Sequence, residues 1–323
     1  MRSSYLRSLP LVLFLCLSTA APLGARPGES SLRGAPLGDR REPTVSGERE
    51  LSPEERAPPR LRLCTGSTSG HYYHAGLQVR ALAQEQLEVE VIPTKGSWEN
   101  LSRVSAEQRS CDAFIAQEDA YRLYLKENPS VHLEVEPVIS LYPEQIHILC
   151  NRQVEAERLA DLDHGRSRLL IAPYGSGTYI TWTFFKHMAT RYQTLQTLED
   201  DAENSFHALV NGADQCMLSV GALARGLVAR ANDEYGDRLR LLSIDDPEFV
   251  RAVGPPGNQR TLYRRNYIHR NSYPRLQDDH LSGYQVLAIL FLSSEWRATH
   301  SWEAEAFIQL LEREQGRFLR AVY

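Results

Sequence analysis

Two short loops hold the residues best suited to chemistry. One is "GSTSG" at 66–70 and the other is "GSGT" at 175–178. Each follows an apolar run and precedes a helix-like stretch. Such loops serve as plain turns, phosphate loops, nucleophile loops or anion seats. A nucleophile elbow needs G-x-S-x-G, but Thr68 stands at the centre of the first loop and the second lacks the frame. A phosphate loop needs a Gly-Lys-Ser/Thr ending, and no such lysine follows either loop. His71 and His74 are spaced to share a metal on a helix face. No acidic or thiolate partner is evident nearby, so neither a metal nor another cofactor is expected.

The anion seat has a direct physical basis. The first turn of a helix carries unpaired backbone N–H groups, and the helix dipole favours negative charge there. Gly70 and Gly177 allow close backbone approach, while Ser67, Ser176 and Thr178 add hydroxyl donors. A capped turn at either loop is the competing reading. Ser97 and Asn100 in "KGSWEN" open another helix and are expected to face the same cleft, although Ser97 is also a good N-cap. Gln117 ends an apolar strand, where ligands of parallel sheets tend to sit. Tyr72 and Tyr73 are expected to wall the cleft, one of them serving core packing instead, and Tyr142 to cover the ligand from a hinge.

These residues need a frame to position them. "LRLCT", "LEVEVIPT" and "CDAFIAQ" read as strands. The helices 70–86, 97–108 and 119–128 fall between and after them. The order then restarts. "SRLLIAP" leads through the second loop into a helix, and "ADQCMLSVGA" and "LRLLSIDD" read as strands, the last closing with an acidic turn at Asp245 and Asp246. Strand and helix in alternation define an α/β class with mainly parallel sheets. "VEPVISLYPEQIHILCNR" lies between the halves, with His147 expected on the wetter face of a strand. "SGYQVLAILFLSS" follows the second half, and a closing helix presents Ala304, Ile308, Leu311 and Phe318 near one face. The chain is expected to cross between lobes at 142–151 and to return after Asp245. That makes lobe 1 of residues 61–145 with 246–323, lobe 2 of 146–245, and a ligand cleft between them.

The N-terminus bounds the compartment. Arg2 and Arg7, the apolar stretch Leu9–Leu17 and the small residues after it form the layout of a secretory signal over 1–25. Residues 26–60 are rich in Pro, Gly, Arg, Glu and Ser and read as a disordered leader. The chain is therefore expected to be exported. Export would let Cys64, Cys111, Cys150 and Cys216 pair. Cys64, Cys111 and Cys216 lie in or beside apolar runs, however, so buried free thiols are the expectation. The net charge of −5 over 323 residues offers no basic face, so no nucleic-acid partner is expected.

Seven segments together resemble the TAXI-family solute receptors of tripartite (TRAP) transporters. They are "TGSTSGHYYHAG", "TKGSWENL", "CDAFIAQEDAY", "LYPEQIHILC", "PYGSGT", "HALVNGADQCML" and "LLSIDD", in that order and at similar spacing. The resemblance implies a two-lobed periplasmic-binding-protein fold (type II-like), each lobe a mainly parallel sheet flanked by helices, joined by crossing strands. It also implies a periplasmic location and a monomer that closes on a small carboxylate such as glutamate, glutamine or 2-oxoglutarate. The implied partners are TRAP-type permease subunits in the membrane, and no catalysis is implied. The sequence departs from the family at "SVGALARGL" and at "YIHRNSYPRLQ", and its leader is unusually long. An exported sensor or scavenger of the same fold, without a permease, is the alternative.

Overall fold

A computed structural model describes residues 58–68, 70–106, 109–162, 164–253 and 259–322. The expected signal segment and nearly all of the leader lie outside the described residues. Residues 55–323 form one compact unit.

The chain opens with β1 (Arg60–Cys64), α1 (His71–Ala83), β2 (Glu88–Ile92), α2 (Ser97–Ser105), β3 (Ala113–Gln117) and α3 (Glu118–Glu127). β4 (Val135–Asn151) follows as a single 17-residue strand. Next come β5 (Arg168–Ile171), α4 (Gly177–Met188), β6 (Gln196–Glu199), α5 (Ala202–Asn211), β7 (Gln215–Gly221), α6 (Gly226–Tyr235) and β8 (Leu239–Leu242). After these come the short pair β9 (Ala252–Val253) and β10 (Arg260–Thr261), then β11 (Arg264–Ile268) and β12 (Leu281–Ser293). The chain closes with α7 (Ser294–Thr299), α8 (Ser301–Arg313) and α9 (Gln315–Val322).

One sheet carries the order β2-β1-β3-β12-β4-β7-β5-β6. Each end is parallel: β1 with β2 and β3 in one lobe, β5 with β6 and β7 in the other. The two long strands between them run antiparallel to each other and to their outer neighbours. β4 pairs with β12 along 135–146 and with β7 along 145–150, so one strand belongs to both lobes. This is the expected α/β class: two mainly parallel half-sheets flanked by helices and joined by crossing strands. The five residues of β3 are all buried, as a central strand covered on both faces requires.

The first lobe's core packs Leu61, Leu63 and Ile115 of the sheet against Val79 of α1, Phe307 of α8 and Phe318 of α9. The second packs Leu149, Leu170 and Met217 with Phe206 and Leu209 of α5. A third apolar cluster runs under both lobes and joins Leu101 and Leu123 to Trp182, Phe185 and Tyr263.

Four expectations need correction here. Cys64 is bonded to Cys111 and Cys150 to Cys216, where free thiols were expected. Cys150 lies directly opposite Cys216 in the β4–β7 register, and Cys111, just ahead of β3, comes within 5.7 Å (Cα–Cα) of Cys64 at the end of β1. The return crossing lies in β12 rather than just after Asp245, because Ile268, Tyr273 and Leu276 pack in the second lobe's core. His147 is 2% exposed rather than on a wet face. Its Nε2 lies 3.1 Å from the Tyr273 hydroxyl, and burial lowers its pKa to about 4. The closing helix breaks at Glu314 into α8 and α9. Asp246 does close the β8 region, but it is buried and accepts from Arg191 and Tyr192.

Candidate ligand-binding site

Parallel strands end in loops that lead into helix starts, so their carboxyl ends collect backbone N–H groups at one edge. Here the ends of β1, β2 and β3 face the start of α4 and the end of β7 across a cavity of about 230 Å³. Seven of the residues singled out from the sequence line it: Ser67 and Gly70, Tyr72, Ser97, Gln117, and Gly177 with Thr178. Neither α1 nor α2 has a side-chain cap on its first turn. Ser97 is the first residue of α2 rather than its N-cap, which is Gly96; its Oγ accepts from the Gln117 N–H at 3.1 Å. Gln117 is 2% exposed, and its Oε1 is buried without a protein partner.

Four expected residues lie elsewhere. Asn100 is fully buried and clasps three segments: its Nδ2 donates to the carbonyls of Thr65 and Ile115, and its Oδ1 accepts from the Thr94 hydroxyl. Tyr142 is 1% exposed in the first lobe's core, with its ring 6.5 Å from that of Tyr72. Tyr73 is half-buried, edge-on to His74 and outside the cavity, because adjacent helix residues point in different directions. Ser176 caps α4, its Oγ accepting from the Tyr179 N–H at 3.1 Å. Replacing Ser176 by alanine is therefore expected to cost about 1 kcal/mol of stability and leave affinity nearly unchanged. Denaturant titration and calorimetry of the variant check both parts; a loss of affinity at full stability would return Ser176 to the ligand.

Glu144, on β4, was not anticipated, although a carboxylate inside the run "LYPEQIHIL" was a signal in plain view. It lines the cavity at 6% exposure, and the Tyr72 hydroxyl donates to its Oε2 at 2.9 Å. Burial raises its pKa to about 7, opposed by the Tyr72 hydrogen bond and reinforced by Asp119. His71 and Lys95 complete the rim, and burial lowers the His71 pKa.

The lobes touch across this cleft. The Asp119 carboxylate, at the start of α3, accepts from Thr181 of α4 and from Tyr263, both at 2.8 Å. The Trp98 and Tyr174 rings lie 5.3 Å apart. Gly175, at φ +81°, leaves room for Trp98: a Cβ there would stand 3.1 Å from the Trp98 Cβ. A larger cavity of about 610 Å³ lies behind the first lobe, but the Arg62, Arg109, Asp112 and Glu295 side chains that line it are paired with one another or with Glu134. Among the described residues no group of three His, Cys, Asp or Glu side chains is placed to hold a metal ion. No helix among them is long and apolar enough to cross a membrane.

Two α/β lobes, crossed by shared strands and closed over a cavity at their strand ends, define the two-lobed fold of periplasmic solute-binding proteins. The chain belongs to the NMT1-like family, whose model matches residues 63–289. No curated protein matches the sequence. Solved structures with a similar course include the periplasmic domain of BvgS from B. pertussis, at 10% identity and TM-score 0.46 over 80% of this chain and 41% of that one. The GluR0 ligand-binding core in complex with L-glutamate is similar at 12% identity and TM-score 0.49, over 81% of this chain and 97% of that one. So is a putative sulfonate-binding protein, SsuA from Methylobacillus flagellatus KT, at 9% identity and TM-score 0.49, over 80% and 69%. This chain thus spans less than half the length of the BvgS domain.

Proposed function

We propose that the chain is a periplasmic solute receptor. It closes its lobes on a small carboxylate of the glutamate or 2-oxoglutarate type and delivers it to a TRAP-type permease. The observation that carries this reading is the convergence of Gly/Ser loops from both lobes on one cavity. Ser67 and Gly70 come from one side, Gly177 and Thr178 from the other. Uncapped first turns at α1 and α2 supply N–H donors suited to an anion. At about 230 Å³ the cavity is smaller than drug-sized sites and suits a metabolite of a few heavy atoms. Ligand favours the closed form only through contacts that the open form lacks, and contacts to both lobes are of that kind.

The test combines calorimetry with X-ray scattering. Glutamate, glutamine and 2-oxoglutarate are titrated into the protein, and the radius of gyration is measured with and without the ligand that binds. Saturable heat with a fall in the radius of gyration is expected. No heat from any of the three, with superimposable scattering curves, would sink the reading. Coupling to a permease is tested separately, by capture of the membrane subunits on the immobilised, ligand-loaded protein. Binding without capture would favour the sensor or scavenger alternative.

A further inference from the structure

We propose that ligand capture in this cavity is proton-linked: Glu144 serves as a neutral carboxylic acid that donates a hydrogen bond to the incoming carboxylate. The inference rests on the receptor reading and adds to it the protonation state in which the site works.

The groups around Glu144 are informative because none is a cation in contact with it. From α1, Tyr72 donates its hydroxyl to Oε2. From β3, Gln117 brings a neutral amide that, like Tyr72, favours the ionised form without carrying charge, and from the start of α3, Asp119 brings a second buried carboxyl that opposes it. On its own strand Tyr142 adds a buried phenol, and the strand partner on β12 is Val286. Val220 and Gly221 of β7 add no charge. The basic groups that line the cavity are Lys95, whose side chain is in solvent, and His71, which burial, with His74 and Arg225 nearby, keeps towards the neutral form. Among the described residues no ion pair includes Glu144. A buried carboxylate without a cation is costly, and an anionic ligand in the same cavity of about 230 Å³ adds a second negative charge. Two carboxyl groups so confined do not both stay ionised.

A proton taken from solvent resolves the conflict. Oε2 continues to accept from Tyr72, and the protonated carboxyl donates its O–H to a ligand oxygen. The raised pKa of about 7 means that little free energy separates the two forms near neutrality, so the ligand itself tips the balance. Above that pH, binding takes up one proton and the affinity falls by up to about tenfold per pH unit. Below it the acid is already protonated and the affinity levels off.

Calorimetry of 2-oxoglutarate at about pH 8, in phosphate and in Tris, reads the proton number from the difference in buffer ionisation heat. Uptake approaching one proton is expected. It should disappear in Glu144→Gln, together with the pH dependence of Kd, and persist in Asp119→Asn. Zero uptake overturns the proposal. Proton release also overturns it, since Glu144 would then be ionising to meet a cationic ligand group. A second measurement needs no ligand. At about pH 6 the infrared carbonyl band of a protonated carboxylic acid should be present in the wild type and reduced in Glu144→Gln. Its equal strength in the two proteins overturns the proposal even if 2-oxoglutarate fails to bind. That failure alone would count against the carboxylate reading instead.

Discussion

Replacing Gly177 by valine is expected to weaken ligand binding by thirty- to a hundredfold, the equivalent of about 2–3 kcal/mol. A Cβ at this position would stand 2.5 Å from Oε1 and 2.8 Å from Cδ of Gln117. Gln117 sits in the cavity wall at the end of β3, 2% exposed, so its amide has little room to retreat. The clash arises only where α4 of one lobe meets β3 of the other. In the receptor proposed above the open form would escape it, so the loss is expected in affinity and in ligand-induced compaction rather than in secondary structure. Alanine should fall between glycine and valine. Calorimetric titration of the two variants decides the matter: full affinity in Gly177→Val would mean that the lobes do not close on this contact.

Removing the Cys150–Cys216 bridge is expected to lower the stability of the protein by about 2–4 kcal/mol. The bridge closes 66 residues of chain, which restricts the unfolded ensemble more than the 47-residue separation of Cys64 and Cys111 does. It also ties β4, the strand shared by both lobes, to β7 at a directly opposed pair. The double substitution Cys150→Ala, Cys216→Ala should shift the urea midpoint down, and a reducing agent should do the same to the wild type. Thiol titration of the unfolded, unreduced protein provides the independent check. Reactive thiols at Cys64, Cys111, Cys150 and Cys216, with no midpoint shift on reduction, would restore the free-thiol reading.

Both predictions rest on contacts between residues far apart in the chain, and the same distinction separates what was legible in the sequence from what was not. The alternation of strand and helix could be read directly, because β2 alternates charged and apolar residues and α8 repeats its buried residues at about 3.6, and each period is local. The loops at 66–70 and 175–178 and the strand end at Gln117 were also legible. Glycine, hydroxyl residues and a strand terminus mark the edge of a parallel sheet before its partners are known.

Tertiary structure alone decided which of these residues meet. Asn100 and Ser176 have the same polar character as Ser97 and Thr178. Yet one bonds two backbone carbonyls and a threonine hydroxyl and the other caps a helix, since each found its partner in the way β1 and β3 approach α2 or in the first turn of α4. The cysteines pair because strand register sets Cys150 against Cys216, and because the segment entering β3 brings Cys111 beside Cys64. Glu144 becomes a buried acid at a ligand cavity only once β4 runs through both lobes and Tyr72 folds over it. The amino-acid order determined the elements and the chemistry at their ends, because those depend on neighbours a few residues away. The protonation, pairing and orientation of the site residues depend on a dielectric boundary and on partners 66 to 72 residues distant, and those exist only in the folded sheet.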